Sequence, residues 1–143
     1  MTSALVQGEQ LDAEEARLAG TFVRWLETGD RPEDLFAEDV FVDFTLPQWR
    51  LQREGAAGAF DLRAGSHPHP GDVAVRGLDR TSRGFLIELE ERWQAEGQGW
   101  YCRELIHCVV TDGRIRELVI YCTGDWDAAT QERHAAQVRL LRV

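Results

Sequence analysis

An Asp-Gly dipeptide, Asp112-Gly113, sits between two alternating runs of strand-forming residues in WYCRELIHCVVTDGRIRELVIYCTGDWD. A two-residue loop of this type favours a type I′ turn, whose twist matches that of paired strands, so a β-hairpin is dictated locally. With the turn at Asp112 and Gly113, Thr111 is expected opposite Arg114, followed by the pairs Val109–Arg116, His107–Leu118, Leu105–Ile120 and Arg103–Cys122. Side chains alternate between faces with period two, which places these eight on one surface. The other surface carries Trp100, Cys102, Glu104, Ile106, Cys108 and Val110 opposite Ile115, Glu117, Val119, Tyr121, Thr123 and Asp125. Neither surface is polar enough to face water throughout, so the sheet needs a cover on both sides, such as helices and a second subunit.

The 143 residues fit one domain, 43% hydrophobic and 29% charged, with no apolar run approaching a membrane span. MTSALVQGEQLDAEEA lacks the basic flank and apolar stretch of a secretion signal, so a cytoplasmic location is expected, with residues 1–10 a flexible N-terminus. Three cysteines are an odd number, and Cys102 and Cys122 are expected on opposite faces of the hairpin, which argues for buried free thiols. A formal charge of −9 with no basic patch excludes nucleic acid as a natural partner.

Helices come first and the sheet later. Asp12 with Glu15 makes a capping-box signature before Leu18, Phe22, Trp25 and Leu26, a helical spacing that stops at Gly29. Pro32 suits the first turn of a short second helix through Phe36, and Val40 to Phe44 reads as a strand. A third helix is expected over 54–64, then strands over 73–78 and 85–94, the hairpin, and a helix from Asp127 through Val138.

This order, with LFAEDVFVDF and the terminal DGRIRELVIYCTGDWD, resembles the nuclear transport factor 2-like superfamily, which includes SnoaL-like polyketide cyclases, ketosteroid isomerases and limonene epoxide hydrolases. The resemblance covers nearly the whole chain. It implies a single α+β domain over 1–143, a curved antiparallel sheet wrapped around N-terminal helices as a cystatin-like cone with a concave pocket, and a homodimer through the convex face. It also implies that position 107 matches the acidic oxyanion-hole residue of ketosteroid isomerases, so His107 leads the candidate residues. The same alignment puts Ile120 where epoxide hydrolases carry their catalytic aspartate, and Phe44 near the isomerase base, with Asp43 one residue away.

On the His107 surface the preceding strand would add Leu86, Glu88, Glu90 and Arg92 beside Tyr101, Arg103 and Leu105. Imidazole has an unperturbed pKa of roughly 6.5 and serves as general acid or base. The candidate catalytic set is therefore His107, Glu90, Arg103 and Asp43, with Tyr101, Leu105, Leu118, Ile120 and Trp49 lining the substrate site. Against it stands a solvated cross-strand ladder of Glu88, Glu90, Arg92 and Arg103. An inverted assignment turns Phe85, Ile87, Leu89, Trp93, Trp100, Ile106 and Val119 toward the helices and buries Glu91, Glu104 and Tyr121, a costly burial that itself implies function. His67 and His69 have His-x-His spacing without an evident third ligand, so a solvated loop is expected and no metal. Asp125 and Asp127 read as helix caps, and Trp126 as core or interface. The expected activity is cofactor-independent proton transfer on a hydrophobic, oxygenated small molecule: cyclisation, isomerisation, dehydration or epoxide opening. The alternative is a non-catalytic binding or dimerisation module, and a third is a protein-interaction adaptor.

Overall fold

The computed structural model describes residues 10–143, so the expected N-terminal tail lies almost wholly outside the described residues. Helix α1 (Ala13–Thr28) begins as expected. Asp12 accepts from the Glu15 backbone N–H at 2.8 Å while Glu15 Oε1 accepts from the Asp12 N–H at 3.0 Å, and Gly29 closes the helix in the left-handed region at φ +79°. Replacing Asp12 with alanine is expected to cost about 1 kcal/mol in urea unfolding, since it orphans an N-terminal N–H.

The chain then enters β1 (Phe36–Thr45), β2 (Arg50–Glu54), α2 (Ala56–Ser66), β3 (Gly71–Thr81), β4 (Gly84–Ala95), β5 (Gln98–Thr111), β6 (Arg114–Cys122) and α3 (Ala128–Gln137). The expected helix through Phe36 does not form. Leu35 is fully buried and its carbonyl accepts from the Ile115 N–H at 2.9 Å, which draws the segment into the sheet. The strands form one six-stranded sheet in the order β2-β1-β6-β5-β4-β3. The sheet is mixed rather than wholly antiparallel, because β1 runs parallel to β6.

The Asp112-Gly113 turn is present, with φ +53° and +73°, and Thr111 pairs Arg114. The register beyond it differs from the simple expectation. Val110 pairs Ile115 but Val109 pairs Glu117, so Arg116 is an extra residue in β6. This β-bulge slips every later pair by one and reverses the face of β6 relative to β5. Cys108 now stands opposite Leu118, Ile106 opposite Ile120 and Glu104 opposite Cys122.

The inner face, under α1 and α2, therefore carries Phe85, Ile87 and Leu89 from β4, Ile106 and Cys108 from β5, and Leu118 from β6, all buried with Leu18, Phe22, Trp25 and Leu26. This is the inverted assignment for β4 and β5. Val119 and Tyr121 are the exceptions: the bulge sends both outward, Val119 opposite His107 and Tyr121 58% exposed. Cys102 and Cys122 share the inner face for the same reason, correcting the expectation that they oppose each other; all three cysteines are free. Among the described residues, no helix is long and apolar enough to cross a membrane.

Candidate functional site

Between the inner face and the two helices lies a cavity of about 120 Å³. Phe22, Trp25 and Leu26 of α1, Ala59 and Leu62 of α2, Val42 and Phe44 of β1, and Ile106, Leu118 and Ile120 form its apolar walls. An engineered apolar cavity of about 150 Å³ admits benzene, so the enclosed part of a ligand here is of single-ring size. One wall is polar: Arg63, His67, Glu91, Cys102, Glu104, Cys122 and Asp125.

The polar wall follows from strand register. Glu91 of β4 pairs with Cys102 of β5, and Glu104, two residues on, pairs with Cys122 of β6. All four point inward. Arg63 descends from α2 and donates to both Glu91 oxygens, at 2.7 and 3.0 Å, and to the Leu26 carbonyl at 2.8 Å. Glu91 is 3% exposed and Glu104 7%. Two carboxyl groups so placed cannot both ionise cheaply. Burial opposes charge at Glu91, but hydrogen bonds from Glu104 and Arg63 and the guanidinium charge outweigh it and lower its pKa to about 2. Burial, the bond to Glu91 and the Glu91 charge push Glu104 well above the usual carboxylate value. Glu91 is thus the anion and Glu104 the neutral acid. Glu104 Oε1 is buried with no hydrogen-bond partner among the described residues.

His67 closes the wall from the loop after α2. Its ring stacks edge-on against Trp93, with centroids 4.0 Å apart, and Nε2 lies 4.0 Å from Glu91 Oε1. Both ring nitrogens are buried without a hydrogen-bond partner among the described residues. Burial, followed by the Arg63 charge, lowers its pKa and keeps it neutral. Asp125 is raised by burial and by Glu91. Cys102 is raised by its hydrogen bond with Cys122 and by burial, whereas Cys122 is lowered by the same bond, with help from the Gly124 N–H at 3.3 Å.

The residues expected from sequence divide between the two faces. Leu118 and Ile120 line the cavity. His107, Glu90, Arg103 and Tyr101 lie on the outer face, correcting their expected place in the pocket, because β5 turns its other side to the helices. Glu90 accepts from the Tyr101 hydroxyl at 2.8 Å and from Arg76 at 3.0 Å, with Arg103 3.6 Å away; Arg103 also reaches Glu88 at 3.2 Å. This is the expected cross-strand ladder with Arg76 in the place of Arg92, whose guanidinium lies over the Tyr101 ring at 4.4 Å instead. His107 stands apart from it, its Nε2 3.0 Å from Thr81 Oγ1. Asp43 also points outward and is clasped by Arg50 at 2.6 and 2.9 Å, which lowers its pKa. Leu105 is 46% exposed and Trp49 67%. Replacing His107 with alanine is expected to leave binding of an aromatic probe to the cavity unchanged in ligand-observed NMR.

Glu91, Glu104 and His67 are the cavity residues that the His107-centred reading passes over. Their signal was the pair of carboxylates at inward positions of two greasy strands; His67 showed only as half of a His-x-His pair in a loop expected to be solvated, and the structure corrects this by burying its side chain to 8% exposure.

No family model and no curated protein matches the chain. Solved structures do. A protein of Mesorhizobium loti described as NTF2-like and of unknown function aligns over 82% of this chain and 98% of its own, at 20% identity and a TM-score of 0.60. An LEH-like epoxide hydrolase of M. tuberculosis aligns over 76% of this chain and 82% of its own, at 15% identity and a TM-score of 0.61. A putative isomerase of Rhodopseudomonas palustris aligns over 79% and 91%, at 10% identity and a TM-score of 0.64.

Proposed function

Since this chain has the nuclear transport factor 2-like α+β fold, we propose that the cavity beneath α1 and α2 is an active site for proton transfer on a compact, oxygenated small molecule, without a resident cofactor. One observation carries the reading: a neutral carboxylic acid, Glu104, is held in an apolar cavity with one oxygen unpartnered. A buried polar atom left without a partner costs about 1–3 kcal/mol, and a simple ligand carrier gains nothing from it. A ligand hydroxyl donating to that oxygen removes the cost, and an epoxide or carbonyl oxygen is met when Glu104 turns its proton from Glu91 to the ligand.

In this scheme Glu104 donates its proton to an epoxide, carbonyl or hydroxyl oxygen as negative charge develops there. The Arg63 guanidinium, already bound to Glu91, then offsets the charge left on Glu104, and repulsion from the Glu91 carboxylate drives Glu104 to take a proton back at the end of the cycle. Neutral His67, on the same wall, accepts the proton released from carbon or from an attacking water. Epoxide opening, isomerisation and dehydration all use this pairing of acid with neutral base. The M. tuberculosis and R. palustris structures, described as an epoxide hydrolase and a putative isomerase, lie within that range. The cavity favours a single-ring substrate over an extended polyketide.

The test is a turnover screen of the full chain against small cyclic epoxides, enones and hydroxyketones, followed by mass spectrometry, with Glu104→Gln in parallel. Product formed by the wild type and lost in the variant supports the reading. Binding without turnover across the panel, or turnover indifferent to Glu104, moves the chain to the ligand carriers.

A further inference from the structure

The polar wall has a second use that proton transfer does not require. Glu91 and Cys102 are direct cross-strand partners, and Glu104 projects from the same face two residues further along β5. One donor atom from each lies within 4.8 Å of the other two. Tetrahedral Zn²⁺ holds carboxylate oxygen at about 2.0–2.2 Å and thiolate sulfur at about 2.3 Å. Donors held so in a tetrahedron stand roughly 3.5 Å apart, so ligation requires these three to draw together from the separations of up to 4.8 Å seen here.

Two further observations point to a ligand. Glu104 Oε1 is buried with nothing to bond among the described residues, and so are both nitrogens of His67, whose side chain is 8% exposed and faces the same wall. We propose that Glu91, Cys102 and Glu104 form a binding site for a divalent cation of the Zn²⁺ class, with the fourth coordination position open to the cavity.

Two carboxylates and one thiolate suit borderline Zn²⁺ better than Mg²⁺ or Ca²⁺, which take oxygen alone. Three protein ligands with an open fourth position match the pattern of zinc sites that bind an exogenous molecule. Arg63 holds both oxygens of Glu91 and becomes the outer-shell partner that orients a ligating carboxylate. The exchange balances: the cation enters, and one proton leaves Cys102 and one leaves the carboxyl pair. Affinity therefore climbs with pH, against the background of Arg63, His67, Cys122 and Asp125, the other titratable groups on this wall. A bound cation also removes the proton Glu104 would donate, so metal and proton transfer compete. The site itself stands without the proton-transfer reading.

The experiment uses the full chain, tag-free, reduced and stripped with a chelator, titrated with Co²⁺ and then Zn²⁺. One equivalent of Co²⁺ is expected to produce a near-ultraviolet sulfur-to-cobalt charge-transfer band that Zn²⁺ abolishes. Cys102→Ala removes the band. Glu104→Gln, which keeps a hydrogen bond to Glu91 and therefore the fold, weakens Zn²⁺ binding by at least about 100-fold, beyond the 10- to 100-fold typical of outer-shell losses. Absence of the band, its persistence in Cys102→Ala, or Zn²⁺ affinity unchanged in folded Glu104→Gln overturns the site. The turnover screen, run on chelator-stripped protein, reads proton transfer separately, so the failure of either reading is distinguishable from the failure of the other.

Discussion

Replacing Arg63 with methionine is expected to cost about 3–5 kcal/mol of unfolding free energy at pH 8, the scale of breaking a buried ion pair by removing one partner. Methionine is close to arginine's aliphatic stem in size, so the loss reports the charge and its hydrogen bonds more than a cavity. Three bonds go at once: two to the Glu91 oxygens and one to the Leu26 carbonyl. Glu91 is then left 3% exposed with no cation against it. The pH dependence follows from its depressed pKa. A carboxylate lowered from 4.5 to about 2 stabilises the wild type above 4.5 and loses that contribution as pH falls toward 2. In the variant, burial without Arg63 drives Glu91 the other way, so it takes up a proton in mild acid. The gap between wild type and variant is therefore wider at pH 8 than at pH 5, as urea midpoints at the two values would show. Arg63→Met combined with Glu91→Gln is expected to recover most of the loss, since neither unpaired charge remains. A gap under about 1 kcal/mol at pH 8 would mean that water reaches Glu91 freely.

Local chemistry was legible in the sequence, and long-range pairing was not. The Asp12–Glu15 box and the Asp112-Gly113 turn are each specified within a few residues, and both formed as expected. The bulge at Arg116 carries no glycine or proline, so nothing in RIRELVIYC announces it, yet it decides which β6 residues accompany which β5 residues. Leu118 and Ile120 were expected in the cavity and line it, while His107 and Leu105, expected beside them, went to the other face. Strand β2, RLQRE, has almost no apolar alternation because it is a mostly exposed edge, and its sequence resembles a loop. The parallel contact of β1 with β6 joins segments far apart in sequence, which no local pattern records. Glu91 and Glu104 were visible as carboxylates on greasy strands. What the sequence lacked was Arg63 and His67, delivered by α2 and the following loop, which turn an expensive burial into an acid, an anion and a neutral base.

Glu104→Gln is expected to move stability and turnover in opposite directions. A carboxyl whose pKa is raised in the folded state binds its proton more tightly there than in the unfolded chain. Stability therefore falls as pH climbs from the usual 4.5 toward the folded value, by up to about 1.4 kcal/mol per pH unit. Glutamine does not titrate, and its amide N–H supplies the hydrogen bond that Glu104 gives Glu91. The variant should match the wild type near pH 5 and exceed it near pH 8, in urea unfolding at both values. Its turnover of any substrate found should fall about 10²- to 10⁴-fold, the usual contribution of a positioned proton donor, because an amide N–H is far too weak an acid to transfer its proton. A buried acid without a chemical role would show the stability gain with turnover unchanged, and one kept to hold the fold would lose stability together with activity. Stability gained where activity is lost is the mark of a group retained for chemistry, since the burial that raises Glu104 is unfavourable to folding and useful only to a ligand.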